Sequence, residues 1–529
     1  MGMRITNGII NSNAKINIMI NKEYADKTNT MVATGQKITR PSDDPVIAIR
    51  NLRLNSNIDE LTQYKTKNIP DADAWLKTTG TSLDQTHQVL KNIHDNLTTG
   101  ASDQNTAEDR MKIMENLSKL RDQIYASGNA DYAGRTVFTG YRTGESLTYM
   151  EKDKSTRYNI VETFDNSAVE KMQYVKGSFD VDRNNLSGTT ESAISGESIN
   201  RLRLAYDKLD YPQKTTDSKA GAPLSVSITG KTKNSTTTDI NYPVTVVNTE
   251  GMTQEQIDNI YTKRDASGGT GPDVILIANT GELIMKDSVA ATLQADGSTF
   301  NITYAKTEFN KGDLRPEHYF ACTSWNTTDD KAKKIEYNYD DTKTPHVPDF
   351  QNQKISYEVA FNQKIDINTN ANEVYTHDIG RDVDDLMKAT QDVIDIEDKM
   401  KKLEDLKSDS AFYTAHKATI DDMITAAAKE FSYRKENMQK MFSQAMTKFD
   451  GYMDAVNLAN TRVGSMGQRL ELTKERVTEQ LNNFKELSDE NINIDLTESA
   501  IDLKSAQVAL EAAQTATARI SQQSLLNYL

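Results

Sequence analysis

The chain has 529 residues, 36% of them apolar, a formal net charge of −15 and one cysteine, Cys322. That acidity argues against a general nucleic-acid binder, which needs Lys and Arg to neutralise phosphates, and a lone cysteine excludes an intrachain disulfide. A mean hydropathy of −0.66 suits elongated or helical modules better than one large core, and no leader of the Sec type or apolar run of about 18 residues is visible, so neither a signal peptide nor a membrane span is expected.

The first segment, 1–44, opens on a helical stripe of Ile5, Ile9, Ile16 and Met19 that dies at Glu23 and Asp26. Gly35 and the run Pro41-Ser42-Asp43-Asp44-Pro45 break it, with Asp44 placed to cap a new helix and Pro45 at its first position. The helical stretch 45–142 follows. Ile69, Leu76, Leu83, Leu90 and Leu97 recur every seven residues, a coiled-coil-like signal. Pro70 should kink or restart that helix. A second helix, about Asn105 to Ser127, carries Met111, Met114, Leu117, Leu120 and Ile124.

The middle, 143–380, has strand character. Leu224, Val226 and Ile228 alternate with serines; Val274–Ala278 and Glu282–Met285 flank an Asn-Thr-Gly turn; Asp296-Gly297 separates two further β-like runs; Tyr357, Val359 and Phe361 alternate again. One helix is expected inside this region, about Glu197 to Leu209. The stretch 381–490 returns to helix, with Ile424, Phe431, Met438, Ala445, Tyr452 and Ala459 in one seven-residue series and Val456, Val463, Leu470, Val477 and Phe484 in another. The tail, 491–529, is Ala-rich, with Leu503 and Leu510 in one column and Ala506, Ala513 and Ile520 in its partner. The fold class is therefore mainly α with an inserted β-rich region of one or two domains. Each end is a short amphipathic helix that wants a partner, and Ile5, Ile9, Ile16, Leu503, Leu510 and Ile520 are the candidate subunit-interface residues.

Motifs for chemistry are sparse. None of the six histidines stands in an HExxH or HxH cluster, and no Gly-rich phosphate loop or GxSxG occurs. His87 and His94 share a helical column, which a solvated face explains. Asp180, Asp182, Asn184 and Glu191 match the oxygen spacing of a calcium loop, but Asn185 stands where Gly is needed and Ser187 where an apolar residue is expected; an Asn/Asp turn is the reading taken. Cys322 and His318 lack an orienting acid in pattern. No catalytic residue, cofactor or metal is assigned.

Specific residues resemble a known family. Met3-Arg4-Ile5-Thr6, the segment from Ala33 to Pro45, Gly134-Arg135-Thr136-Val137-Phe138-Thr139-Gly140-Tyr141, Arg462 to Gly467, and the ending Ser524-Leu525-Leu526-Asn527-Tyr528-Leu529 are similar to flagellin-like axial proteins of the bacterial flagellum. The Pro-flanked Ser-Asp-Asp resembles hook-associated protein 3, the hook–filament junction branch, more than flagellin proper. The resemblance covers roughly the first 145 and last 140 residues. It implies an out-and-back helical rod with terminal coiled-coil helices and a central β insert. It also implies a structural, non-enzymatic role and export through the flagellar type III apparatus to the extracellular flagellum. The expected partners are copies of itself in a ring, hook-associated protein 1, flagellin and a cytosolic export chaperone, with no nucleic acid or membrane among them. A flagellin filament subunit is the alternative.

Overall fold

The computed structural model describes residues 7–102, 104–211, 225–233, 238–262, 271–328, 333–338 and 353–526. Its helices are α1 (Asn7–Thr34), α2 (Pro45–Gln63), α3 (Ile69–Gly100), α4 (Ala107–Ser127), α5 (Gln254–Thr262), α6 (Asp287–Leu293), α7 (His377–Ser408), α8 (Ser410–Ile492) and α9 (Leu496–Leu526). The strands begin with two short hairpin arms, β1 (Asp131–Tyr132) and β2 (Arg135–Thr136). Then come β3 (Thr156–Asp165), β4 (Glu170–Lys176), β5 (Val181–Asp182), β6 (Asn185–Leu186), β7 (Ser195–Arg203), β8 (Ser227–Lys231), β9 (Ile240–Pro243) and β10 (Thr245–Val247). The last are β11 (Val274–Ile277), β12 (Glu282–Met285), β13 (Thr299–Lys306), β14 (Ala321–Asn326), β15 (Ile335–Tyr337), β16 (Ser356–Ala360) and β17 (Gln363–Asp366). They fall into two compact units. The terminal unit holds 1–72, 357–365 and 468–529; the central unit holds 73–356 and 366–467.

In the central unit the leucine heptads do what their spacing demands. Leu76, Leu83, Leu90 and Leu97 are all buried, as are Val456 and Val463 on α8. The two helices run antiparallel in strict register: Asp84 meets Asn460 at 2.7 Å, His94 meets Asp450 at 3.5 Å, and the Thr98 hydroxyl meets the Met446 sulfur at 3.7 Å. Each step forward on α3 is matched by an equal step back on α8. Gly100 ends α3 where a Cβ would stand 2.2 Å from the Phe442 ring, so only glycine lets the helices close there. Helix α4 starts with a reciprocal capping box between Thr106 and Asp109 and lies antiparallel to α7.

The β region is two sheets. One has the order β10-β11-β12-β7-β4 and the other β15-β14-β3-β13-β8-β9. All pairings are antiparallel except β10 with β11. They share a core in which Leu202, Leu276, Leu283 and Met285 of the first sheet meet Ile160, Phe300, Ile302 and Tyr304 of the second. The first sheet's other face buries Ile199, Ile277 and Ile284 with Tyr261 of α5. A third cluster joins Val175, Phe179 and Ile194 to Ile396, Leu403 and Met423 of the long helices.

Two expectations are corrected. Glu197 to Arg203 is strand β7, not helix. It lies between β12 and β4, with Ile199, Asn200, Arg201 and Leu202 buried in succession; a strand covered on both faces loses the period-2 alternation that identifies strands. The run before Asp296-Gly297 is the short helix α6, not a strand. The hairpin β11–β12, the strand at Ser356–Ala360 and Val226–Ile228 beside β8 stand where expected; Leu224 lies outside the described residues.

Candidate assembly surfaces

In the terminal unit α1 and α9 pair along their length. They are antiparallel, because Gly35 just after α1 accepts from the Ile494 amide just before α9 at 3.1 Å. The low-exposure residues on α9 are Ser499, Leu503, Ala506, Leu510, Ala513 and Thr517; on α1 they are Ala14, Ile18, Asn21, Ala25 and Thr28. Both series step by four and three, the spacing of a coiled-coil seam. Small residues dominate it, which lets the two backbones approach closely.

Leu503 and Leu510 thus fall on a seam within the chain. Ile9 and Ile16 do not: they are 51% and 50% exposed, beside Met19 at 62% and Ile20 at 57%. The terminal helices carry two stripes each, not one. The single stripe expected on α1 followed the largest apolar side chains, whereas the intrachain contact uses the alanines on the opposite face, about half a turn round the helix. Ile5 and the Ile520 side chain lie outside the described residues.

The turn 41–45 is built by its two aspartates. Asp43 accepts from the Arg40 amide at 2.9 Å and the Thr39 amide at 3.1 Å, and these bonds hold its carboxyl below the usual carboxylate range. Asp44 caps α2, accepting from the Val46 and Ile47 amides at 2.9 and 3.2 Å, with Pro45 at the first helical position where a missing N–H costs nothing. Pro41 and Ser42 complete the turn, exposed. On the other side of the same crossing Asp495 caps α9 through the Thr497 amide at 2.8 Å. Lys37 ties the two connections by donating its amide to Ile492 O at 2.7 Å. Beyond it α2 runs antiparallel to the end of α8, where Ser488 reaches Asn51 and Asn491 reaches Ile47 O, each at 3.1 Å. A π-helical turn, Tyr64–Asn68, precedes Pro70 and absorbs the hydrogen bond that proline cannot donate. The hairpin β16–β17 braces this turn: Phe361 stacks edge-on against Tyr64 at 5.9 Å, and Asn68 donates to Glu358 O at 2.8 Å.

Within the central unit, the β sheets are fixed to α7 and α8 by buried charge. Arg201 of β7 bonds Glu282 at 2.8 Å, Glu170 at 2.6 Å and Asp385 at 2.7 Å. Arg203 bonds Asp382 at 2.6 Å and Asp385 at 2.9 Å, and Asp382 also accepts from Lys448 at 3.0 Å and Tyr452 at 2.7 Å. Burial alone would raise the Asp385 carboxyl; Arg201 and Arg203 outweigh it and hold the group well below its ordinary value. Sequence reading missed this cluster, since arginines two apart on a strand carry no motif.

The remaining candidates for chemistry come apart in space. Asp180–Glu191 forms the β5–β6 hairpin, with Asp182 accepting from the Asn184 amide at 2.9 Å in an Asx turn. His94 pairs with Asp450, and His318 meets Ser146 O at 3.1 Å through Nε2. Cys322 is buried on β14, its thiol pushed up by burial. Among the described residues no group of three or more His, Cys, Asp or Glu is placed to hold a metal, and no helix is long and apolar enough to cross a membrane.

Comparison with known proteins meets this geometry at both ends. Residues 5–143 match the bacterial flagellin N-terminal helical region, and residues 446–529 match the bacterial flagellin C-terminal helical region. A flagellin of Clostridium tyrobutyricum is 24% identical over 158 residues, which is 30% of this chain and 41% of that protein. Flagellar hook-associated protein 3 of Escherichia coli is 26% identical over 129 residues, 24% of this chain and 40% of that one. The chain thus spans about two-fifths of the length of the curated relatives it matches. Among solved structures, a flagellar hook-associated protein from Vibrio parahaemolyticus aligns with 85% of this chain and 100% of its own, at 13% identity and a TM-score of 0.34. A hook-associated protein 3 from Legionella pneumophila aligns with 83% and 97%, at 10% identity and a TM-score of 0.29. The paired terminal helices α1 and α9 and the α3 and α8 segments of the rod thus fall in or beside the two matched stretches, and the chain's two ends are similar to the N-terminal and C-terminal helical regions of bacterial flagellins.

Proposed function

We propose that this chain is a structural subunit of the bacterial flagellum that forms the hook–filament junction, adapting a ring of hook-associated protein 1 to the flagellin filament. One observation carries the reading. Fourteen of the twenty large apolar side chains that stand exposed among the described residues belong to the terminal unit, which is roughly a quarter of the chain. They include Ile9, Ile16, Met19 and Ile20 on α1, Val46, Ile49 and Leu52 on α2, and Leu496, Ile501 and Val508 on α9. Apolar surface concentrated in one unit marks an interaction face.

In this reading 1–44 and 491–529 line the inner contact, 45–142 and 381–490 form the rod, and 143–380 faces outward. Ile9 and Ile16 meet neighbouring copies, while Leu503 and Leu510 set the α1–α9 pair that presents them. The protein reaches the extracellular flagellum by type III export, held before that by a cytosolic chaperone, and performs no catalysis.

The match to a clostridial flagellin favours a second reading, a filament subunit. Immunogold labelling of isolated flagella separates the two. A single band at the hook end supports the junction; labelling along the whole filament establishes the alternative; absence of label from flagella defeats both.

A further inference from the structure

Glu162 of β3 is 7% exposed and lies where the two sheets are stitched together. Its two carboxyl oxygens stand 3.2 and 3.1 Å from the Ala205 amide, and Oε2 stands 2.9 Å from the Tyr304 hydroxyl. Ala205 belongs to the segment 204–210 that leaves β7. That segment bonds the first sheet through Leu204 N to Gly281 O at 2.9 Å and Leu209 N to Ala278 O at 2.8 Å. It bonds the second through Asp210 N to Ala305 O at 2.9 Å. Glu162 is one of three side chains by which the six-stranded sheet grips this connection, beside Lys306 of β13, which donates to Asp207 O, and Arg157 of β3, 3.3 Å from the Asp210 carboxylate.

The grip has an unusual electrostatic character. The buried acids nearby are paired with cations: Glu282 with Arg201, Asp382 with Arg203 and Lys448. Glu162 forms no ion pair among the described residues. Its hydrogen-bond partners are Tyr304 from β13 and the Ala205 amide from the 204–210 segment, and Asp378 and Arg381 of α7 act on it through their charge alone. Asp378 opposes ionisation of Glu162. Arg381 favours it, but gives a donor to Thr280 O and keeps Nε buried without a hydrogen-bond partner. A carboxylate buried against one amide and one phenol, with no cation bonded to it, is costly to leave charged. A protonated carboxyl fits: it accepts from Ala205 and shares its own proton with the Tyr304 oxygen.

We propose that Glu162 is a proton-operated latch, closed in its neutral form on the 204–210 connection between the two sheets and loosened when the proton leaves. Burial, opposed by the Ala205 and Tyr304 bonds, pushes its pKa up to about 8. The sign follows from that direction. A group whose folded pKa lies above its unfolded value supports the closed state below the unfolded value, and the support is lost as pH rises towards about 8. Above that the carboxyl is ionised in both states, and the dependence ends.

Hydrogen exchange on the full-length protein tests this, read at the peptide containing Ala205. Between about pH 6.5 and 8 the opening constant of that segment should rise about tenfold per pH unit beyond the intrinsic exchange chemistry, then level off. Glu162→Gln, which keeps the shape and can bond both partners, should remove the slope. Lys306→Met, which deletes a buried cation that donates to Asp207 O of the same segment, and Asp378→Asn, which deletes the neighbouring acid, should each retain it. Infrared spectroscopy of the native wild type gives an independent readout: a protonated carboxylic-acid band present near pH 6.5, lost by about pH 9, and sensitive to Tyr304→Phe. A slope that persists in Glu162→Gln overturns the proposal. So does the absence of a protonated carboxyl in the wild type, whether or not the variants fold.

Discussion

The hydroxyl of Tyr125 on α4 is inserted into the first turn of α7, accepting from the Gly380 amide at 2.8 Å and donating to Thr376 O at 3.0 Å. In an uninterrupted helix Gly380 N and Thr376 O would bond each other. Thr376 caps α7 without a side-chain hydrogen bond, so the phenol of a neighbouring helix does the capping instead. Position 380 is glycine because a Cβ there would stand 2.6 Å from the Tyr125 oxygen. Gly380→Ala should therefore destabilise the central unit by about 1–3 kcal/mol, the scale of overpacking, although alanine is the better helix former. Tyr125→Phe removes the clashing oxygen and should recover most of that loss in the double variant. Chemical denaturation of the four proteins checks it; additive losses would show that the two residues do not interact.

The Arg201 cluster is a different kind of joint. Arg201→Met leaves Glu282, Glu170 and Asp385 without their shared guanidinium in a buried place. The expected cost is about 3–5 kcal/mol, because the damage is unpaired charge and not a lost attraction. Asp385, held below its ordinary pKa, contributes above the unfolded carboxylate range, and that contribution is lost on strong acidification. Arg201→Met combined with Glu282→Leu should be less harmful than Arg201→Met alone. Thermal melts in which the pair is worse than the single change would sink the account. Moderate salt should matter little, since buried pairs are poorly screened.

How much of this could be read from the sequence divides along periodicity. The heptads at Leu76, Leu83, Leu90 and Leu97, and at Val456 and Val463, are buried as spaced, and Asp44 caps α2 as its neighbours suggested. These are local patterns, visible one helix at a time. The α1 seam was not legible: apolarity points to Ile9 and Ile16, but close packing selects Ala14, Ala25 and Thr28. Strand β7 was misread because a strand buried on both faces keeps no alternation. Arg201, Arg203, Glu162 and Tyr125 act through partners scores to hundreds of residues away, and nothing in their local sequence announces it.

His318 is one of two histidines, with His377, whose burial shapes the acid side of stability. Its ring is 6% exposed, and burial pushes its pKa down to about 4, with the Ser146 carbonyl opposing. The unfolded chain takes up this proton near the ordinary histidine value and the folded one does not. Stability is therefore intact above about pH 6.5 and falls as pH drops towards about 4, by about 3 kcal/mol in all. His318→Gln, which can still donate to Ser146 O, should reduce the slope of that limb of a stability–pH curve, with His377, its pKa pushed down to about 3 by burial, supplying a remainder. An unchanged slope between about pH 6.5 and 4 would assign the acid limb to other groups.

The two stripes of the terminal helices give the sharpest test of assembly. Ile16 is half exposed and points away from the α1–α9 seam, so Ile16→Asp puts a carboxylate where water already reaches it and should change monomer stability by no more than about 0.5 kcal/mol. Ala506 is 3% exposed within the seam, so Ala506→Asp forces a charge between two helices and should separate them, exposing 7–34 and 496–526 to protease. Leu510→Asp, half-buried on that seam, should fall between the two. If neighbouring copies cover the outer stripe, Ile16→Asp must abolish filament growth while its melting curve overlays the wild type, because several kcal/mol of desolvation recurs at every subunit contact. Cells carrying it should bear hooks and leak flagellin into the medium. Normal filaments from Ile16→Asp would show that the outer stripe is not an interface. Unfolding of the isolated Ile16→Asp monomer would show instead that Ile16 belongs to the chain's own core. A melting curve unmoved by Ala506→Asp would remove the seam from the list of contacts that hold the ends together.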